Sequence, residues 1–203
     1  MAAKPSPLKG LAELSAEASD AENVHVVIDT PKGSRNKYKL EEKLGVFMLG
    51  GVLPAGAVFP FDFGFVPSTE GGDGDPLDVL VLMDEPAFVG CVIEARLVGV
   101  IEAEQTDDEG TNRNDRLIAV AAKSRNHRDV RSLGQLSHNL VAEIEHFFVS
   151  YNQMKGKRFE PLGRGGPERA AEIVEEGVKL FRRKHTRRHT PAKVGGAKKG
   201  RGG

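Results

Sequence analysis

The segment Asp73-Gly74-Asp75-Pro76-Leu77-Asp78 constrains this chain most, because it feeds three carboxylates straight into the apolar run Val79-Leu80-Val81-Leu82. A run that is apolar at every position has both faces covered, so it belongs inside a fold and not on its surface. Strand alternation places Asp78, Leu80 and Leu82 on one face and Leu77, Val79 and Val81 on the other. Pro76 pushes Asp75 into an extended conformation and has no N–H for a normal ladder bond. The DGDP piece therefore reads as a tight, exposed turn, with Asp78 at the entrance of a buried strand. A carboxylate in that position is costly unless a cation or hydrogen bonds compensate it.

Charge along the chain deepens this problem. The totals balance, with 29 Lys and Arg against 29 Asp and Glu, but nine of the basic residues lie in 182–203, where there is no acid. The remaining 181 residues hold 20 basic and 29 acidic side chains, a net of −9. Residues 44–95 contain no Lys or Arg and eight carboxylates. Those groups need solvent, distant Lys or Arg, or bound cations. Oxygen donors on a turn suit Mg²⁺, which keeps several waters and favours phosphate co-ligands. A bound divalent cation acidifies water, from about 15.7 towards about 7 in the zinc case, and an adjacent carboxylate can take the proton. An EF-hand loop fits poorly: it needs Gly at its sixth position and Glu at its twelfth, and counting from Asp73 these are Asp78 and Asp84.

Before the turn, Val24–Asp29 reads as a strand ended by Pro31, and Tyr38–Leu40 with Val46–Leu49 as a hairpin. Phe59–Val66 is extended, Leu77–Leu82 is the buried strand, Cys91–Glu104 is a long strand bent at Gly99, and Leu117–Ala121 is another. Apolar residues then recur at helical spacing from about Leu133 to Met154, namely Leu136, Leu140, Ile144, Phe147, Phe148 and Tyr151. LGRGGP breaks the chain, and Pro167 opens a second helix expected to reach Arg183. Strands followed by two helices predict an α+β domain, an antiparallel barrel with the helices packed outside. Residues 1–22 read as a flexible segment, 23–184 as the folded domain and 185–203 as a basic disordered tail.

Several function classes are disfavoured. There is no apolar run of eighteen residues for a transmembrane helix, and residues 1–22 lack the apolar stretch of a secretory signal. A lone cysteine, Cys91, forms no intrachain disulfide, so a reducing, cytoplasmic setting is expected. None of the six histidines pair at HExxH spacing. The basic tail could meet nucleic acid or anionic lipid by counterion release. It lacks interleaved aromatics for base stacking, so nucleic-acid contact is not favoured over a merely solubilising role.

The D-x-D-P-x-D pattern followed by an apolar strand resembles family I soluble inorganic pyrophosphatases. The resemblance runs across roughly residues 24–155 through VVIDTPKGSRNKY, FPFDFGFVPST, PLDVLVLMDEP, RLVGVIE, DRLIAVA and HFFVSY. It implies a five-stranded, OB-like closed barrel, a homo-oligomer, and hydrolysis of pyrophosphate to two phosphates with several Mg²⁺ ions. Asp73, Asp78, Asp107 and Asp115 would be metal ligands, with Asn114 aligning as well as Asp115. Asp75 would orient or deprotonate the attacking water. Lys37, Arg116 and Tyr151 would bind phosphate oxygens. Five positions depart from the common pattern: Asp29 for Glu, Lys39 for Glu, Gly51 for Arg, Phe63 for Tyr and Asn152 for Lys. Arg35 and Lys39 are the nearby cations that could replace the missing contacts. These departures leave open a hydrolase of another phosphoanhydride, or a non-enzymatic relative that binds metal or polyanions.

Overall fold

The computed structural model describes residues 10–20 and 22–188. Nine strands and two helices follow in order: β1 Asn23–Thr30, β2 Asn36–Glu41, β3 Val46–Val52, β4 Asp62–Phe65, β5 Asp78–Leu82, β6 Val92–Asp107, β7 Gly110–Arg113, β8 Arg116–Ala121, α1 His138–Gln153, β9 Arg158–Gly165 and α2 Pro167–Arg188. The pairings of β1, β4, β5, β8 and β6 run in a ring, because β6 also pairs with β1. Strands β7 and β9 add to β6, and β2 with β3 forms a separate hairpin.

The sheet is mixed and not antiparallel as the sequence suggested. Strand β5 pairs with β8 in parallel, Val79 opposite Leu117 through Leu82 opposite Val120. A parallel pair cannot be joined by a tight hairpin and needs a long connection. The sixteen-residue β6 and the β6–β7 hairpin supply it here. Burial on both faces, legible in the VLVL run, is the condition parallel pairing requires.

Both faces of β5 are indeed covered, each by its own helix. Val79 and Val81 pack in a cluster with Ala170, Ile173 and Val174 of α2. Leu80 and Leu82 pack in another with Ile144, Phe148 and Tyr151 of α1. Each such side chain contributes about 1.5–3 kcal/mol when fully buried, and Leu80→Ala would cost about 2–5 kcal/mol through the cavity it leaves. Two glycines permit close approach within the ring. A Cβ on Gly64 would lie 2.1 Å from the Val27 carbonyl, and Gly99, at φ +155, would put one 2.5 Å from Leu133. The β6–β8 register shifts at Gly99, where the strand was expected to bend.

Three local readings change. The helix expected from Leu133 begins at His138, after a 3₁₀ turn at Leu133–Gln135. Gly134 weakens helix formation there, and the Gln135 side-chain oxygen accepts the Ser132 N–H, closing the turn first. The segment read only as a chain break is strand β9, paired with β6 alone. Pro161 is tolerated because β9 is an edge strand and the register slips beside it, between Glu102 and Ala103. Helix α2 runs to Arg188, and the tail from residue 189 lies outside the described residues.

Candidate active site

A cavity of about 520 Å³ opens where the DGDP turn, the β2–β3 hairpin and the ends of both helices meet. Asp73, Asp75 and Asp78 line its acidic side. The turn is shaped by Gly74 at φ +82, by the Gly71 N–H donating to the Asp75 carbonyl at 2.7 Å, and by the Asp75 N–H donating to Asp73 Oδ1 at 3.2 Å. Asp73 is open to the cavity yet ringed by protein. That desolvation, together with the Asp78 and Asp75 carboxylates, pushes its carboxyl above the usual range.

The opposite side is cationic and mostly held in place. The Lys37 ammonium donates to both oxygens of buried Asp29, at 2.7 and 2.6 Å. Burial pushes the Asp29 carboxyl up, and Lys37 offsets part of that. Lys37 also stands 4.2 Å from the Phe63 ring centroid, so Phe63 offers a π face where a Tyr would offer a hydroxyl. The buried Arg116 guanidinium pairs with Asp78 at 2.7 Å and lies over the Phe148 and Phe159 rings. Its Nε is buried and has no hydrogen-bond partner among the described residues. On α1, Tyr151 is pushed up to about 12 by burial and then by the Asp78 and Asp29 charges, so its hydroxyl keeps its proton.

The sequence-predicted residues do not all meet. Lys37, Asp73, Asp75, Asp78, Arg116 and Tyr151 share the cavity; Asp107 and Asp115 do not line it. Asp107 pairs with Lys157 at 2.8 Å. Asp115 Oδ1 accepts the Ala103 N–H at 2.9 Å and Arg113 Nε at 2.6 Å, with the side chain only 7% exposed. Asn114 and Arg116 line the cavity, and Asp115 between them, in the connection from β7 to β8, does not. Asn114 Nδ2 donates to Gln105 Oε1 at 3.3 Å, so two amides stand in this corner.

The departures from the common pattern have distinct fates. Asn152 is buried and donates to the Phe148 carbonyl within its own helix at 2.9 Å. Arg35 is committed to the Leu53 carbonyl at 3.2 and 2.9 Å and does not line this cavity. Lys39 does reach the site, 3.4 Å from Asp75. Lys155 and Lys157 also line it and were missed from sequence. Lys155 follows Tyr151 by four positions, so it continues the same face past the helix end, a signal that was available. Although the residue is exposed, its ammonium lies 4.1 Å from the Tyr151 ring centroid. Burial there, followed by nearby Lys37 and Lys157, lowers it to about 8. Lys184 and His185 at the end of α2 complete the rim, Lys184 pairing with Glu70 at 2.8 Å.

No group of three or more His, Cys, Asp or Glu among the described residues is arranged to hold a metal ion by itself. The donors still fit a hard cation. They are all oxygens, and the crowding of Asp73 by Asp75 and Asp78 is the repulsion a divalent ion relieves. Magnesium completes its shell with waters and substrate phosphates and does not need an all-protein cage. Arg116, which lines the same cavity, suits an anionic co-ligand.

The known proteins this chain is similar to bear a common description. A family model described as inorganic pyrophosphatase matches residues 26–182. The inorganic pyrophosphatase of Synechocystis sp. is 38% identical over 159 residues, 78% of this chain and 92% of that one. That of Thermus thermophilus is 39% identical over 137 residues, 68% of this chain and 76% of that one. The crystal structure of a Thermus thermophilus inorganic pyrophosphatase superposes with a TM-score of 0.78 at 35% identity, covering 85% of this chain and 99% of that one. The Helicobacter pylori enzyme gives 0.75 at 34% identity, covering 82% and 97%. With the matched segment running from within β1 through all later strands and α1 to most of α2, this chain belongs to the inorganic pyrophosphatase family.

Proposed function

We propose that this chain hydrolyses inorganic pyrophosphate to two phosphates with the help of Mg²⁺. The observation that carries the reading is the meeting of Asp73, Asp75 and Asp78 with Lys37, Arg116 and Tyr151 on one cavity. Asp73 and Asp78 would hold the metal, several ions in all, which when bound neutralises phosphate oxygens and acidifies water. Asp75 orients the attacking water and takes its proton. Lys37, Arg116 and the protonated Tyr151 bind phosphate oxygens and stabilise the charge that grows on the leaving phosphate. Arg116 is already fixed by Asp78 and by two aromatic faces, so little order need be gained when substrate arrives. Asp107 and Asp115 enter as ligands only by releasing Lys157 and Arg113.

The wider reading is a closed, OB-like barrel formed by the five-strand ring, in a cytoplasmic homo-oligomer; the domain expected to span 23–184 takes in the rest of α2 as far as Arg188, between segments 1–22 and 189–203. Support for self-association is the pair of exposed apolar residues Val46 and Met48, two apart on β3. No helix among the described residues is long and apolar enough to cross a membrane. The test of the activity is phosphate release from pyrophosphate, ATP and tripolyphosphate, with and without Mg²⁺. Metal-dependent release from pyrophosphate is expected; no release from pyrophosphate at any magnesium concentration refutes the reading.

A further inference from the structure

Beside the main cavity lies an annex of about 300 Å³ that shares Lys37, Gly50, Tyr151 and Lys155 with it. Its other walls are Gly51, Val52, Leu53, Pro54 and Met154. The shared residues carry the cations and the hydroxyl, and the unshared ones carry no charge at all. Gly51 stands opposite Lys37 across the hairpin. A Cβ built there meets nothing within 4 Å, and its φ is not in the left-handed region. The space is therefore open because residue 51 has no side chain, and no backbone constraint demands the glycine. Arg35, one of the two cations named as replacements for the missing contacts, is bound to the Leu53 carbonyl and does not line the annex.

These features sort ligands by charge. A terminal phosphoryl pushed into the annex meets no cation beyond Lys37 and Lys155, and it gives up water to do so. An uncharged ester group loses little and covers Val52 and Met154, both of which are substantially exposed. Resting on the hydrolase reading above, we propose that the annex is a subsite for the organic group of pyrophosphate monoesters, so that the enzyme also cleaves R–O–PO₂–O–PO₃ substrates. Water attacks the terminal phosphorus and gives its proton to Asp75. The bond from that phosphorus to the bridging oxygen breaks, and its electron pair leaves on the phosphate monoester. The products are inorganic phosphate and R–O–PO₃, with no redox partner.

The test compares pyrophosphate with phenyl diphosphate on the parent, Gly51→Ala and Gly51→Leu, with folding checked by thermal melts. The parent should release phosphate from both substrates. Gly51→Leu fills the annex, so its kcat/KM for phenyl diphosphate relative to pyrophosphate should fall by about 10-fold or more, within the range a hydrophobic pocket provides, with Gly51→Ala in between. An unchanged ratio in folded Gly51→Leu overturns the subsite, as does a parent that cleaves pyrophosphate but not phenyl diphosphate. A parent inactive on pyrophosphate with Mg²⁺ refutes the hydrolase reading instead. The subsite is then judged by calorimetry with the monophenyl ester of methylenediphosphonate, which should bind Gly51→Leu about 10-fold more weakly than the parent; equal binding overturns it.

Discussion

The DGDP turn and the end of the β6–β7 hairpin both present aspartates of the kind that hold metals, yet the fold treats them differently. At the turn, Asp73 has, among the described residues, a single backbone N–H on its carboxylate, and Asp75 has a long, exposed contact with Lys39. Near the hairpin, Asp107 and Asp115 are each neutralised by a close cation, Lys157 at 2.8 Å and Arg113 at 2.6 Å. Asp115 also spends an oxygen on the Ala103 N–H and so ties the chain before β8 to β6. Pairing alone does not separate the two groups, because Asp78 pairs with Arg116 at 2.7 Å much as Asp107 and Asp115 pair with Lys157 and Arg113. What differs is that Asp78 lines the cavity beside the loosely held Asp73 and Asp75, where a cation can reach it, and Asp107 and Asp115 do not line it.

Metal removal should break this comparison most visibly. Exhaustive EDTA treatment should abolish pyrophosphate hydrolysis, and added Mg²⁺ should restore it; turnover that survives EDTA would show that the turn needs no cation. Next comes Asp75→Asn, which keeps the shape and removes the proton acceptor. Its kcat should drop about 10²–10⁴-fold, measured by phosphate release at saturating magnesium, and a drop below tenfold would remove Asp75 from the chemistry.

On the hairpin side, Asp115→Ala strands the Ala103 N–H and loosens Arg113. Denaturant melts should show a loss of about 1–3 kcal/mol, while turnover of the folded protein changes less than tenfold. The reverse pattern would make Asp115 a ligand.

A smaller effect concerns the cationic side of the cavity. Lys155 is charged below about 8 and neutral above it. Attraction for phosphate is therefore present below that pH and lost as pH rises through it, so KM should climb by about tenfold across this step, the worth of one charge-assisted contact. In Lys155→Met the step should vanish and KM stay high, which separates it from ionisation of the substrate. The linkage with stability has the opposite sign: the unfolded lysine, at 10.5, binds its proton more tightly, so this group adds stability as pH rises from about 8 to 10.5. Smallest of all, Lys157→Gln should let the Asp107 carboxyl rise from its lowered value, because the Lys157 hydrogen bond is the first cause of the lowering; carboxyl NMR titration reads this directly.

Local patterns made much of this legible. The two faces of β5 were readable because alternation and burial are local properties of Leu77–Leu82, and the turn was readable because Pro76 and the glycines act on their own neighbours. Strand direction is not local, so the parallel β5–β8 pair escaped. Strand β9 escaped because its Gly and Pro residues are tolerated only at an edge beside a register slip, which no sequence window contains. The choice between Asn114 and Asp115 was not legible, because both lie in the connection from β7 to β8, whose path no local pattern sets; of the two, Asn114 lines the cavity. Lys157 was passed over because its partner, Asp107, is fifty residues away.

The claim at the centre is that the turn carries the ion and the proton while Asp115 carries structure. A magnesium titration of turnover tests it most directly, run side by side on the parent, Asp75→Asn, Asp78→Asn and Asp115→Ala. The account predicts that Asp78→Asn needs more magnesium and regains part of its turnover in excess, that Asp75→Asn regains little, and that Asp115→Ala follows the parent curve. Parental turnover in both Asp75→Asn and Asp78→Asn at every magnesium concentration, or a curve for Asp115→Ala shifted like that of Asp78→Asn, would contradict it.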